Sequence, residues 1–363
     1  MSLLTALDDA GLTGRGGAAF STGTKVRAAH ENGADLIVNA CDGEIGAAKD
    51  GWVVAHHLEE LVEGARLVTK GRRRRALFAA HRGSETASLL RAAGVDVLET
   101  PDRYVSSEET SLISLAQGGL ARPMTKRVPF VMGGRDSAGR RISPTVVLNA
   151  ETVWRVAQVA DRGAAWFRSF GTAQEPGPRL VAVTGYVEMP HVVQTEAGVP
   201  ITDLLTAAGE FAPAAETVLV SGLGGFFLTM DEARRSRWMT SDLSAYGGSI
   251  GPGILDVLDP RLCPVATVDR FLSYAAGESA GQCGPCMFGV PALARSWREL
   301  VSYPTQPALD HVLGRADLLP NRGACRFPDG VGRFARSAAR VFTDHLAEHA
   351  RGQCPTERTH AHA

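Results

Sequence analysis

The tightest constraint on this chain is a cysteine pattern. The stretch Glu278-Ser279-Ala280-Gly281-Gln282-Cys283-Gly284-Pro285-Cys286 sets two thiols at C-x-x-C spacing, and Cys325, in Arg322-Gly323-Ala324-Cys325, supplies a third much later. A tight turn at this spacing points both sulfurs the same way, so both reach one soft metal centre. Gly281 and Gly284 let the backbone fold close around such a centre, and Pro285 stiffens the turn. The competing reading is a set of buried, reduced cysteines.

With 363 residues the chain has room for two or three domains. Its 44% hydrophobic and 21% charged residues are those of a globular protein, and a net charge of −1 gives no global field for nucleic acid or anionic membrane. The first residues, Met1-Ser2-Leu3-Leu4-Thr5-Ala6-Leu7-Asp8-Asp9, lack the basic start and apolar core of a signal peptide, and no apolar run approaches the roughly 18 residues of a membrane span. Six cysteines in so long a chain read as thiols or ligands of a reducing compartment, so a cytoplasmic location is expected.

Residues 3–12 suit a short helix. The glycine-rich run from Gly14 to Lys25 (Gly14-Arg15-Gly16-Gly17-Ala18-Ala19-Phe20 at its start) lets backbone N–H groups approach a phosphate or a flat ring, and Lys25 can neutralise a phosphate. It is neither a P-loop nor a good dinucleotide fingerprint. A buried strand, 35–39, ends at Asn39 and leads into a polar loop containing Cys41 and Glu44; ligands sit beyond such strand ends in open sheets. Beside a ligand Cys41 is an oddity, read as a space-filling residue. Residues 51–69 look helical, with His56 and His57 on the helix surface. The basic run Arg72–Arg75 reads as a solvated edge, followed by a strand at 76–80, a helix at 84–93 and a strand at 95–98. Repeated βα units imply a parallel sheet covered by helices.

Glu108 and Glu109 begin a further helix, where carboxylates suit the positive dipole end. Asn149 either caps the next helix or offers its amide to a ligand. After Pro176 and Pro178 short strands take over, at 180–184, 185–187, 192–195 and 217–221, with a helix at 201–208 and a glycine turn at 222–225. A hairpin is expected over 251–272, with Cys263 a buried strand residue. In the tail, Val331, Phe334, Ala338, Val341, Phe342, His345 and His349 fall on one helical stripe, expected to pack on the helix after Cys286. His345 and His349 have the i, i+4 spacing of metal ligands but are read as helix-face residues, and Cys354 lies in a polar tail.

Together these motifs resemble the flavoprotein subunit of NADH:quinone oxidoreductase (respiratory complex I) and its relatives in soluble hydrogenases and formate dehydrogenases; the chain looks like a shortened, divergent member. The family's cluster motif, E-S-C-G-x-C-x-P-C-R-x-G with a distant fourth cysteine, is matched at Glu278, Ser279, Gly281, Cys283, Pro285, Cys286, Gly289 and Cys325. Ala280 stands in place of its first cysteine and Met287 in place of its arginine. Its glycine loop, G-R-G-G-A-G-F-P-T-G-x-K, is matched at Gly14, Arg15, Gly16, Gly17, Ala18, Phe20, Thr22, Gly23 and Lys25. The loop after the first strand, the Glu108-Glu109-Thr110 segment and Pro144-Thr145 through Asn149 match further parts of its flavin and nucleotide pocket.

The resemblance implies an α+β multidomain fold. Residues 1–177 would form an α/β flavin-binding domain with a parallel sheet, 178–238 a small β-grasp domain serving as scaffold, 239–269 a connecting segment, 270–355 a helical bundle carrying the iron–sulfur site, and 356–363 a disordered tail. It implies FMN held by Gly14, Arg15, Gly16, Gly17, Phe20, Lys25, Asn39, Glu44, Glu108, Glu109 and Asn149. Glu44 and Glu109 would shape the place where a donor meets the flavin. Cys283, Cys286 and Cys325 would ligate a [4Fe-4S] cluster with one atypical ligand, or a [3Fe-4S] cluster. Of the family's adenine-stacking rings only Phe20 remains; the other two positions fall on Ala28 and near Arg141, which could pair with a phosphate instead. Two classes of function follow. One is an FMN and iron–sulfur oxidoreductase subunit moving electrons between NADH, NADPH or a ferredoxin and a partner protein. The other is a degenerate paralogue acting as a binding or assembly subunit.

Overall fold

A computed structural model describes residues 2–70, 74–126, 128–136, 138–209, 215–354 and 356. Arg72 and Arg73 of the basic run, and the tail from 357 onward, lie outside the described residues.

The amino-terminal part opens with helices α1 (Leu3–Ala10) and α2 (Thr22–Asn32), each closed by a glycine in the left-handed region, Gly11 at φ 66° and Gly33 at φ 60°. Then come β1 (Asp35–Asn39), α3 (Lys49–His56), α4 (Leu58–Val68), β2 (Ala76–His81), α5 (Glu85–Ala92), β3 (Val97–Thr100) and α6 (Glu109–Ala116). A two-stranded ribbon, β4 (Gly134–Arg135) with β5 (Arg141–Ile142), precedes β6 (Thr145–Asn149) and α7 (Ala150–Arg168), which breaks at Gly163, φ 83°. The main sheet is wholly parallel, in the order β3-β2-β1-β6. The middle residues of its strands β1, β2 and β6 are apolar because helices cover both faces. Leu36, Val38, Phe78, Ala80, Val146 and Leu148 enter the core under α1, α4 and α7, while Ile37, Leu77, Ala79 and Val147 enter a smaller core with Leu112 and Ile113 of α6.

The helix expected over 51–69 is two. The chain kinks at His57, φ −136°, whose ring stacks on Trp154 with centroids 4.2 Å apart. His57 is therefore packed against α7, not displayed on a surface.

The second sheet contains β7 (Pro178–Gly185), β8 (His191–Glu196), β9 (Thr217–Val220), β10 (Phe226–Thr229) and β11 (Ile254–Val257), in the order β10-β9-β11-β7-β8. Helices α8 (Ile201–Ala207), α9 (Met230–Arg235) and α10 (Thr240–Ser244) flank it. The expected hairpin at 251–272 is not formed. Its first part is β11, the central strand, parallel to β7 and antiparallel to β9; its second part is helix α11 (Pro264–Glu278). Cys263 caps that helix and is not a strand residue. Ile254, Leu255 and Val257 are fully buried, which explains why this strand inserts between two others.

Helices α12 (Val290–Ser302), α13 (Gln306–Asp317), α14 (Phe327–Val341) and α15 (Thr343–Ala350) complete the bundle with α11. The expected tail stripe splits between α14 and α15 at Phe342, and α14 packs chiefly on α11, α13 and the second sheet, in one core with α12. Phe227 of β10 meets Phe334 and Phe342 at 4.9 and 5.1 Å, so sheet and bundle share that core.

A close helix pairing in the first domain runs through Gly64. A Cβ there would stand 2.1 Å from the Val153 carbonyl oxygen of α7. Alanine normally gains about 1 kcal/mol over glycine inside a helix, whereas overpacking against backbone costs about 1–3 kcal/mol. Gly64→Ala should thus lower the thermal unfolding midpoint; an unchanged or raised midpoint would show that α4 and α7 pack less closely than described.

Candidate functional site

The glycine run forms a closed lasso. The Gly14 N–H donates to the Phe20 carbonyl at 2.8 Å and the Thr22 N–H to the Leu12 carbonyl at 2.9 Å. Gly17 takes φ +104°, and a Cβ at Gly16 or Gly17 would press on the Asn149 side chain at 3.3 Å or the Gly251 backbone at 3.4 Å. The lasso ends at the amino terminus of α2, where Ser21 accepts the Thr24 N–H at 3.2 Å. The glycine backbone of the lasso and the Lys25 side chain therefore face one space, a setting that suits an anion. Lys25, one turn into α2, makes a long 3.4 Å bond to the Val147 carbonyl, and burial lowers its pKa against the opposing pull of Glu109.

That space is a cavity of about 630 Å³ between all three parts of the chain. Gly14, Gly16, Gly17, Phe20, Lys25, Asn39, Glu44, Glu108, Glu109 and Asn149 line it. Arg15 does not. It is buried beneath the loop, donating to the carbonyls of Pro176 and Pro178 at 3.0 and 3.3 Å, with its pKa pulled down to about 9 by burial and by Arg179. It is a strut between the loop and the start of β7. Arg141, on the exposed ribbon, and Ala28, on α2, also lie outside the lining, leaving Phe20, 52% exposed, as the ring at the mouth.

The polar wall is held by buried charges. Lys49 donates to Asn149 Oδ1 at 2.8 Å and to Asp50 at 2.9 Å, and stands 3.4 Å from Glu151. Burial disfavours its ammonium, but the carboxylates of Asp50, Glu151 and Asp42 outweigh that and raise its pKa. Asn149 donates in turn to Asp50 at 2.5 Å, and Asn39 donates to the Ser107 carbonyl at 2.9 Å while accepting the Cys41 N–H at 3.2 Å. Each amide keeps a second N–H and a second lone pair.

Glu108 caps α6, accepting the N–H groups of Thr110 and Ser111 at 2.8 and 3.1 Å, and burial raises its pKa. Glu109 pairs with Lys126 at 2.6 Å. Glu44 is more deeply engaged. Its oxygens accept the N–H groups of Ile45, Leu223 and Gly224 at 2.9, 2.8 and 3.1 Å and the Tyr104 hydroxyl. Burial raises its pKa, and these four donors pull it back.

The second sheet contributes more than scaffold. Ser221, Gly224, Gly225 and Phe226 line the cavity with Gly251 and Pro252, and Arg326, Phe327, Gly330 and Arg333 of the bundle face them. The glycine turn at 222–225 was the visible signal; nothing local marked the bundle residues.

Cys325 also lines the cavity, and behind it stand Cys283 and Cys286. The Cys286 thiol, 3% exposed, is pushed up to about 12 by burial and by Cys283 and Cys325; that of Cys325 is raised to about 11, again mainly by burial. Three thiols thus lie together, and the burial that disfavours the thiolates of Cys286 and Cys325 would be offset by a bound cation. The Ala280 N–H aims at Cys286, while its methyl group offers no ligand and borders a separate hollow of about 260 Å³ shared with Arg103, Arg122, Glu278 and Ser279.

Cys41 is buried in the apolar core behind β1, 3.8 Å from the Thr100 hydroxyl and outside the cavity lining. Burial pushes its thiol up to about 12. At pH 8 only about one molecule in 10,000 would carry the thiolate. Iodoacetamide at that pH should leave Cys41 unmodified in folded protein, as read by peptide mass spectrometry; rapid labelling there would place it in reach of solvent.

Two family models match the chain: the Nuo51 FMN-binding domain over residues 7–158, and the NADH-ubiquinone oxidoreductase-F iron-sulfur binding region over residues 266–349. The F subunit of the NADH-quinone oxidoreductase of Streptomyces coelicolor is 28% identical over 97% of this chain and 84% of its own length. Its counterpart in Mycobacterium tuberculosis is 28% identical over 97% and 86%. Among solved structures, an NAD+-reducing [NiFe]-hydrogenase in its H2-reduced state superposes with a TM-score of 0.82 at 30% identity, covering 97% of this chain. This chain spans 62% of that hydrogenase chain.

Proposed function

We propose, for a chain that belongs to the family of the NADH-quinone oxidoreductase F subunits and the hydrogenase subunits akin to them, that the 630 Å³ cavity holds FMN and that the three thiols beside it hold an iron–sulfur cluster. The observation that carries this reading is the join between the two. Cys325 lines the same cavity as the glycine lasso and Lys25. Bound there, FMN supplies two-electron hydride chemistry and the cluster one-electron transfer.

The donor set fits both groups. The glycine backbone of the lasso and Lys25 form a cradle for a phosphate, and that phosphate would favour the charged form of the lysine, which burial disfavours. Asn39 and Asn149, fixed by Ser107, Lys49 and Asp50, would offer their remaining donors and acceptors to the flavin. Glu44, both of whose oxygens are engaged, acts as a positioning residue that fixes the cavity wall. Glu109, paired with Lys126, sets the charge at the mouth where a hydride donor docks. Phe20 offers a stacking face to a nicotinamide nucleotide. With no second ring at Ala28 or Arg141, that nucleotide site is weaker than the family's by about 1–3 kcal/mol per missing ring, by analogy with base stacking. A ferredoxin is the alternative donor.

Cys283, Cys286 and Cys325 would hold the cluster through three thiolates, and because Ala280 offers no fourth it would be a [4Fe-4S] form with a non-thiolate ligand, or a [3Fe-4S] form. The acceptor is a redox protein, docking as members of multi-subunit complexes do. Six free thiols support work in the cytoplasm, and no helix among the described residues is long and apolar enough to cross a membrane.

Anaerobic purification with flavin, iron and sulfide quantified together tests this reading. One flavin and about three or four irons per chain are expected, bleached by NADH or NADPH or by a reduced ferredoxin. In Ala280→Cys, iron should reach about four with loss of any three-iron electron paramagnetic resonance signal. Protein that stays free of flavin and iron through reconstitution, with Ala280→Cys no different, would favour a binding or assembly role instead.

A further inference from the structure

A second constellation of ligands stands apart from Cys283, Cys286 and Cys325. Cys263 at the start of α11, His345 and His349 on α15, and Cys354 beyond it bring their ligand atoms within 4.8 Å of one another. The Cys263 sulfur lies 3.4 Å from His345 Nε2 and 3.5 Å from His349 Nε2, and the Cys354 sulfur lies 3.7 Å from His345 Nε2. All four residues are half-buried.

We propose that these four side chains form a structural zinc site. A tetrahedral zinc ion with Zn–S of about 2.3 Å and Zn–N of about 2.0–2.1 Å separates sulfur from nitrogen by about 3.5–3.6 Å. The three observed S···N separations straddle that value. A polynuclear iron core bonds each ligand to a different part of the core and needs a wider cage, so this spacing selects a single ion. Two thiolates and two imidazoles are the soft and borderline set that suits zinc, and together they bring the ion to neutrality, as a half-buried site requires. Four protein ligands leave no open position, which makes the site structural and not catalytic.

The backbone is shaped for the job. His345 and His349, one turn apart on α15, aim Nε2 at the same sulfur. After α15 the chain turns back through Gly352 at φ +71°, with the Gln353 N–H bonded to the Glu348 carbonyl at 3.1 Å, and this reversal delivers Cys354 to the histidines. Among the described residues of α15, Leu346 alone is buried, a thin apolar anchor for a terminal helix. An ion here would clasp α15 and the segment after it to the amino terminus of α11, the helix whose other end leads to Cys283 and Cys286. The proposal stands whether or not the flavin reading does.

The test is zinc content and zinc K-edge absorption of the full-length chain. About one zinc per chain with a first shell of two sulfurs and two nitrogens is expected. Replacing Cys283, Cys286 and Cys325 together by serine should leave the zinc in place. Cys263→Ser with Cys354→Ser should reduce it to below about a tenth per chain, with flavin content unchanged. Should that double variant fail to fold, chelation of the unaltered protein should lower its melting temperature and zinc should restore it. Unaltered protein that neither contains zinc nor takes up zinc or cobalt on titration, a shell of three or four sulfurs, or zinc lost with the Cys283 set would each overturn the proposal.

Discussion

The parts of this molecule meet at one half-buried carboxylate. Glu44 leaves the loop after β1, bonds Tyr104 from the loop before α6, and accepts the N–H groups of Leu223 and Gly224 in the second sheet. The bundle closes on the far side of that turn. Arg333 donates to the Gly224 carbonyl at 3.0 Å, and Gly330 packs so close that a Cβ would stand 2.8 Å from Gly224. All three parts of the chain therefore touch at this glycine turn. A buried carboxylate without partners is costly, so four donors make this contact all-or-none and fix the parts relative to one another. The cavity exists because that joint exists.

The chemistry of the cavity follows from its walls. One wall is the glycine backbone of the lasso with Lys25 beside it, suited to an anion. A second is a chain of buried charges, from Lys49 through Asp50 to Asn149, that holds amides in fixed orientations. A third is a thiol, Cys325, backed by two more. Such a space joins an organic cofactor to a metal cluster without a loop having to move between them. Ala280 breaks the pattern, since the corner it occupies has an N–H and a hollow where a thiolate would serve.

Much of this was legible in the sequence, and the exceptions have physical reasons. The glycine lasso, the loop after β1 and the C-x-x-C turn are local, so their residue types and spacing carry the information. Arg15 lies inside the lasso motif yet turns into the protein, because side-chain direction depends on the buried carbonyls beneath it and not on the loop. The strand β11 escaped because its parallel partner β7 lies far upstream and no turn announces that pairing. His345 and His349 had ligand spacing, but spacing on one helix is shared by ordinary surface histidines. Only the approach of Cys263, from more than 80 residues away, gives it meaning.

The central claim is that the lasso and Lys25 grip the phosphate of a flavin mononucleotide. Fluorescence titration of flavin-free protein with FMN and with riboflavin tests it most directly, since the two differ only in that phosphate. A charge-assisted contact of about 1.5–3 kcal/mol predicts FMN binding at one site, tighter than riboflavin by about 10- to 150-fold. Equal affinity for the two, or no binding of either, would contradict the account.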